Sequence, residues 1–459
     1  MNRFQDAVHP KSIQPDAVEE SPRKLPIRGR YDVVVCGGGS AGIGAALAAA
    51  RSGMKTLMIE RWGMPGGVWT AGLLNPFFEC HGRGFVVDEL IRRLRDAQGW
   101  VKWKFSHCFD FEILKRVLEQ MLDEAGVEVL YYTWIADCVR EGDRVRGVVL
   151  ESKSGREAVL ARVVIDATGD GDVAARAGCA YEFGRPGDGL LQPLTLMFEV
   201  RGIGDYEMGL SKELFDTMAR VIAEHGLPHK LPFARGNYAP YIINTPAPGS
   251  AVVQATHVYR VNTLDVAQLT RATIEARRQA HELTEIFRHI KGLEGIVLSA
   301  TAPAVGVREG RRILGRYYLD FEDIAAGRAF DDAVAFCGFP VDIHEPAPGA
   351  GVPHRGEAKI RPYEIPYRCL LPRDVEGLLL AGRLISGSVE AHASYRVTGT
   401  TMATGQAAGL AAAWSVAGNM PLHQVPGAEL KAALAERGAE FLDTRDMSRI
   451  EVLDRKPGT

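Results

Sequence analysis

The sequence predicts an α/β fold: a mainly parallel sheet flanked by helices. Three stretches carry that prediction. "YDVVVCGGGSAGIGAALAAARSGMKTLMIER" (residues 31–61) reads as strand, glycine turn, helix and strand. "AVLARVVIDATGDGDVAARAG" (158–178) is a second apolar strand ending in a polar turn. "GLLLAGRLISGSVEAHASYRVTGTTMATGQAAGLAAA" (377–413) is a third strand, a loop and a small-residue helix.

Taken in chain order, residues 1–27 contain no apolar run of the kind a secretory signal needs and are expected to form a loose arm. Tyr31–Cys36 is an apolar run bounded by glycine, the pattern of a strand buried on both faces. Gly37-Gly38-Gly39-Ser40-Ala41-Gly42 then supplies GxGxxG. Gly37 allows the tight turn, Gly39 lets backbone approach a pyrophosphate, and Gly42 lets the helix press onto the sheet. Free N–H groups at the helix start face the phosphates. Gly53 stops the helix, Lys55–Ile59 forms the next strand, and Glu60 closes it where a carboxylate can accept ribose hydroxyl bonds. Strand, helix, strand and acid in register make a Rossmann-like dinucleotide site.

The segment beyond Glu60 narrows the dinucleotide. Arg61 and the glycine-rich "RWGMPGGVWTAGLLNP", with Gly66-Gly67, resemble the flavoproteins of the glutathione-reductase-like superfamily, where this segment runs under an extended FAD. The Ala167-Thr168-Gly169-Asp170 turn resembles that superfamily's "ATG" turn beside the ADP half. Asp170 or Asp172 is also expected to cap a helix starting near Val173. From about Arg30 to Leu430 the chain resembles the FAD-dependent oxidoreductases related to fumarate reductase and succinate dehydrogenase flavoproteins. "AVGVREGRRILGRYYLDFEDI" and "YEIPYRCLLPRDVEGLLLAGRLIS" look like further signatures of that family.

The resemblance implies non-covalently held FAD and a glutathione-reductase-type domain with an inserted α+β substrate or cap domain. The expected division is 28–180 and 371–430 for the FAD domain, 181–370 for the insert, and 431–459 for a C-terminal helix and tail. The implied cofactor contacts are Gly37, Gly39, Ser40, Ala41, Gly42, Glu60, Arg61, Gly66, Gly67, Ala136, Ala167, Thr168, Gly169, Asp170, Gly382, Arg383, Gly399, Thr400 and Thr401. Leu378–Ala381 is the returning strand. The helix from about Thr398 to Ser415 aims its N-terminus at the flavin, where it stabilises nearby negative charge by about 0.3–1 kcal/mol. Its small residues are expected to let it pack closely on the sheet.

Within the insert, "LLQPLTLMFEV" reads as an entering strand, and Lys212–Glu224 and Asp265–His289 as helices. The returning loop holds His392 and Arg396 at H-x-x-x-R spacing. Fumarate reductases carry a similar HGxNR stretch whose arginine grips a substrate carboxylate, although Ala393, Ser394 and Tyr395 fill the intervening positions differently here. A protonatable group and a fixed cation beside a flavin suit hydride transfer. The plainer alternative is that Arg396 pairs with a buried acid and His392 holds the flavin. Arg308 joins the catalytic candidates, set against a salt-bridge network of Arg308, Glu309, Arg311 and Arg312. Cys80 and His81 could lie over the flavin, and Tyr363 and Tyr367 could line a pocket. His225 and His229, separated by Gly226 and Pro228, make a poor metal face, and Trp100 and Trp103 read as packing.

Bulk properties exclude other classes. The 459 residues carry 54 basic and 57 acidic side chains for a net charge of −3, with 46% apolar residues, which argues against nucleic acid as the partner. No run is long and apolar enough to span a membrane. The seven cysteines have no CxxC spacing, so cluster ligation, zinc ribbons and disulfides are not expected, no metal is assigned, and a cytoplasmic location is expected. Without haem or cluster segments, electrons must pass to an external acceptor: oxygen, a quinone or a carrier. The reading is a dehydrogenase or oxidase of a small-molecule substrate, in a chain open to homo-oligomer formation. The alternatives are a fumarate-reductase-like alkene reductase or a flavin-containing assembly or RNA-modification protein.

Overall fold

The structure is a computed structural model and describes residues 11–13, 16–20, 22–103, 106–204, 206, 211–235, 239–348 and 359–443. The first ten residues of the expected arm, part of the Pro/Gly loop at 349–358 and the tail from 444 lie outside them. In the rest of that arm, Lys11–Ile13 and Val18–Glu20 pair antiparallel.

The main sheet begins with β1 (Ile27–Cys36), followed by helix α1 (Ser40–Arg51) and β2 (Thr56–Ile59). Helices α2 (Phe85–Asp96) and α3 (Phe111–Glu124) precede β3 (Glu128–Leu130), β4 (Trp134–Glu141), β5 (Arg144–Ser152) and β6 (Gly155–Asp166). Their order across the sheet is β3-β2-β1-β6-β5-β4. The first three and β6 run parallel, while β4, β5 and β6 form an antiparallel meander. Val33, Val34, Val35 and Cys36 are wholly buried, as expected of a strand covered on both faces. Gly53, at φ +83° just beyond α1, ends that helix.

The chain then builds a second unit with its own core. Strands β7 (Phe198–Arg201), β8 (Tyr241–Asn244), β9 (Ser250–Gln254) and β10 (Val297–Thr301) form an antiparallel sheet of order β8-β9-β7-β10. Helices α4 (Ser211–His225) and α5 (Val266–Phe287) accompany it, and the Asp265 side chain caps α5 by accepting from the Ala267 and Gln268 N–H groups. The entering segment is mostly irregular, since only the last three residues of "LLQPLTLMFEV", the start of β7, are strand. The unit's own apolar core draws on residues from Phe198 to Leu298, but Ile243, Val252 and Ala276 join the main core, as do Ile313, Leu319, Tyr363 and Leu370.

The return is short. β11 (Leu378–Leu380) pairs parallel with Val164–Asp166 at the end of β6. Helix α6 (Val389–Tyr395) and the long α7 (Thr398–Ala417) come next. His392 and Arg396 therefore sit on a helix and at its C-cap, not in a loop, because Ser388 caps α6 by accepting from the Ala391 N–H.

Candidate functional site

The glycine turn after β1 is shaped by backbone crowding. A Cβ on Gly37, at φ +103°, would lie 2.4 Å from the Ala167 carbonyl oxygen, and one on Gly42 1.7 Å from the Gly37 carbonyl oxygen. Gly39 is different: a Cβ there would meet nothing closer than 4.0 Å. That side of the turn is open space, which is where close approach of a phosphate needs backbone without a side chain. Gly66 donates its N–H to Gly38 at 2.7 Å, so the second glycine pair lies backbone to backbone on the first.

Glu60 is buried and accepts from the Gly38 N–H at 2.6 Å and the Trp62 N–H at 2.9 Å. Burial pushes its carboxyl above the ordinary value, against the pull of these N–H groups and Arg61. Arg61 lies 5.4 Å over Trp62 and 5.7 Å over Trp134. Ala136 is the extra residue where β4 slips against β5, between Ile135 and Asp137. A bulge leaves its residue out of the ladder, but the Ala136 carbonyl already accepts from Arg176 Nε at 2.9 Å.

At the second turn the structure corrects the expected cap. Neither Asp170 nor Asp172 caps the helix Asp172–Arg176, whose N-cap is Gly171. Asp166, fully buried at the end of β6, accepts instead from the N–H groups of Val173 and Ala174 at 3.0 and 2.9 Å. Its other oxygen accepts from the Thr168 N–H and hydroxyl. Burial pushes its carboxyl up to about 6 despite these donors. Asp170 is used otherwise, pairing with Arg383 at 2.7 Å and so tying the second turn to the Gly382-Arg383 return.

Helix α7 departs from expectation in one respect. It touches the sheet as expected, but its glycines face α1: a Cβ on Gly405 would sit 2.0 Å from the Ala41 carbonyl oxygen and one on Gly409 2.2 Å from that of Ala45. The matching four-residue steps show two parallel helices in backbone contact, and the Ser40 and Thr401 hydroxyls meet at 2.7 Å. At the start of α7, the Gly399 N–H is committed to the Phe78 carbonyl at 3.2 Å. Gly399 is therefore needed for the loop at Phe78-Glu79, whose carbonyls a Cβ would strike at 2.5 and 2.1 Å. Of the first three helix N–H groups, which have no intrahelical partner, those of Thr398 and Thr400 remain to meet a ligand.

Buried polar atoms left over here test whether a flavin fits. Both ring nitrogens of the fully buried His392, and the hydroxyls of Ser386, Thr398 and Thr400, have no hydrogen-bond partner among the described residues. Buried polar groups such as these are completed by water or by a ligand. Their position beside the α7 N-terminus, with the open Gly39 face and the Glu60 carboxylate, fits FAD. His392 is held neutral: burial, then Arg396, Arg312 and Arg383, push its pKa well below the ordinary value.

Beyond His392 lies a polar cluster where the second unit meets the main one. Arg396 donates to the carbonyls of Arg308 and Asp342, to the Gln192 side chain, and to the Asp342 carboxylate at 3.3 Å. Arg396 thus pairs with a largely buried acid. Arg308 donates through one nitrogen to the Pro193 carbonyl and Thr195 hydroxyl at 2.6 and 2.7 Å. Enclosure and the nearby Arg396 push it down to about 9, so it stays cationic at neutral pH. His257 and His344 face each other at 3.4 Å, and His344 stands 3.7 Å from Asp342. Both are held neutral, His257 well below its ordinary value and His344 at about 4, by burial and then by Arg308.

The rest of the expected salt-bridge network divides. Arg312 pairs with Glu309 at 2.8 Å, both buried, and with Glu182, while Arg311 reaches Asp172 at 3.2 Å. His257, His344, Asp342 and Gln192 carry no local motif, and long-range contacts alone assemble them. Tyr363 and Tyr367 are buried and donate to Ser394 and to the Leu422 carbonyl. The Tyr367 ring borders a cleft of about 490 Å³ lined also by Phe330, Arg368 and His423, which shares no residue with the polar cluster. His225 stacks on His289 and His229 pairs with Glu285. Trp100 and Trp103 pack among aromatic rings. No disulfide forms among the described residues, and none of their helices is long and apolar enough to cross a membrane.

A family model described as FAD dependent oxidoreductase matches residues 32–434. A thiamine thiazole synthase of Methanococcus vannielii is 30% identical over 151 residues, 30% of this chain and 56% of that protein. The match thus spans little more than half of that relative's length. Among solved structures, a geranylgeranyl bacteriochlorophyll reductase-like protein of Thermoplasma acidophilum is 16% identical, with TM-score 0.47 over 90% of this chain and 84% of that one. The anhydrotetracycline hydroxylase of Streptomyces rimosus is 14% identical, with TM-score 0.46 over 89% and 66%.

Proposed function

Because the chain belongs to the FAD dependent oxidoreductase family, we propose that it is a dehydrogenase or oxidase of a small anionic substrate, oxidised at a carbon bearing OH or NH. FAD is its cofactor, and when bound it supplies a two-electron acceptor for hydride. In this reading the second unit is the substrate cap of a glutathione-reductase-type fold, and the polar cluster lies where cap and FAD domain meet. The observation that carries the proposal is His392, buried, neutral and without a hydrogen-bond partner among the described residues.

A neutral imidazole can take the proton from the substrate OH or NH as the C–H hydride leaves, so that C=O or C=N forms. Three guanidinium groups disfavour the resulting imidazolium, and an anionic substrate offsets that field. Arg308 is the group for that anion: among the described residues only one of its nitrogens is hydrogen bonded. Arg396, bonded through two of its nitrogens to Arg308, Gln192 and Asp342, holds Arg308 and Asp342 in place instead of gripping substrate. Thr398 and Thr400 lend N–H and hydroxyl groups to negative charge at the helix start.

Anaerobic mixing with hydroxy acids, amino acids and sugar acids should bleach the bound flavin, and Arg308→Gln should raise the substrate concentration needed by at least about tenfold. If no such substrate bleaches it while an unsaturated acid reoxidises chemically reduced enzyme, the direction is that of an alkene reductase.

A further inference from the structure

Outside this machinery, the loop Glu79–Gly84 runs between the α7 N-terminus and the hairpin Trp100–Trp103/Ser106–Phe109. It brings Cys80, His81 and His107 together so that one ligand atom of each lies within 4.8 Å of the others. We propose that these three side chains form a site for a borderline-soft divalent cation of the zinc class, with water in the fourth position.

The donor set is one thiolate and two imidazoles, the nitrogen–sulfur mixture that selects zinc over calcium or magnesium. Tetrahedral zinc with bonds of about 2.0–2.3 Å separates its ligands by roughly 3.3–3.7 Å, so a contraction of about 1 Å by side-chain torsions closes the cage. The rings are already placed. His107 stacks on Trp100 at 5.2 Å and 14°, and His81 meets His107 edge-on at 5.8 Å.

Glu79 adopts φ +56°, a costly conformation for a non-glycine residue, with Gly82 and Gly84 also at positive φ. One carboxylate borders the loop: a Cβ on Gly82 would meet the Glu440 side chain at 2.3 Å. Cys80 and His81 are adjacent and His107 is distant in sequence, so no paired-cysteine spacing announces the set.

The test uses full-length holoenzyme from zinc-supplemented medium, desalted and assayed by elemental analysis, with cobalt(II) as an optical probe. Tetrahedral cobalt absorbs at longer wavelength than oxidised flavin. One zinc per chain and a cobalt spectrum with a thiolate band are expected. Cys80→Ala and His107→Ala, made separately and each retaining bound FAD as proof of folding, should weaken zinc by at least about 100-fold, more than loss of an outer partner does. Absence of tight zinc in the wild-type holoenzyme, or zinc retained equally in both variants, overturns the assignment. Flavin that stays with acid-precipitated, metal-free protein overturns it too, since one of these side chains is then bonded to the cofactor.

Discussion

Three buried histidines, His257, His344 and His392, share one consequence. Each has a folded pKa below its ordinary value of 6.5. In the unfolded chain they take up protons as pH falls below about 6.5, while the folded chain resists. Stability is therefore full above about 6.5 and declines toward pH 4, by about 1.4 kcal/mol per pH unit for each histidine. Urea unfolding of His344→Gln at several pH values should show a shallower acid slope; an unchanged slope refutes the account. His392→Asn should keep FAD yet slow anaerobic flavin reduction by about 100-fold, within the usual range for a lost general base. Asp166 shows the limit of local reading. Asp170 and Asp172 stand nearest the helix in sequence, but a strand-end carboxylate reaches two helix N–H groups from across the turn. Asp166→Ala should cost about 2–3 kcal/mol in chemical unfolding, because several buried donors lose their acceptor at once.

Among elements, the α1–α7 pair is the most constrained. Gly405→Ala puts a methyl group where the Ala41 carbonyl sits, and forcing the helices apart should cost about 1–3 kcal/mol or more and weaken FAD binding. A variant with wild-type melting and cofactor affinity would refute that packing account. The sequence makes β1, α1, β2, β6 and α7 legible because burial, glycine turns and small-residue patterns are local. It also marks α4 and α5 by their polar–apolar period, within a residue or two at each end. It cannot show which surface a slim helix serves. Alanine and glycine suit contact with a sheet or another helix equally, and only the register 41/405 and 45/409 decides. In the same way H-x-x-x-R identifies His392 and Arg396, but not that Arg396 would be consumed by Asp342 and Gln192.

For the whole molecule, the residues that the sequence assigns to the cofactor all lie outside the Phe198–Leu298 unit, and the polar cluster draws on both units. The second unit has its own apolar cluster, although Ile243, Val252 and Ala276 join the main core, so removing FAD should lower the main unfolding transition more than that of the Phe198–Leu298 unit. Restoring FAD to about 100 times its dissociation constant should return about 2.7 kcal/mol. Calorimetry of apo and holo protein with hydrogen exchange distinguishes this from uniform destabilisation. The cluster is invisible in the sequence because Gln192, His257, Arg308, Asp342 and Arg396 come from five separate segments. No pattern in any one of them signals the others.

The backbone contact of α1 with α7 has an electrostatic side. Helices lying parallel put like-signed dipole ends next to each other, and α7 begins about six residues, roughly 9 Å, ahead of α1 on that register. An empty protein holds two staggered positive poles that repel. A long dinucleotide carrying phosphates near one pole and an electron-rich ring near the other relieves both together. Inorganic pyrophosphate, which can serve only the nearer pole, should protect the apoprotein against heat in part, and sodium chloride should erode that protection.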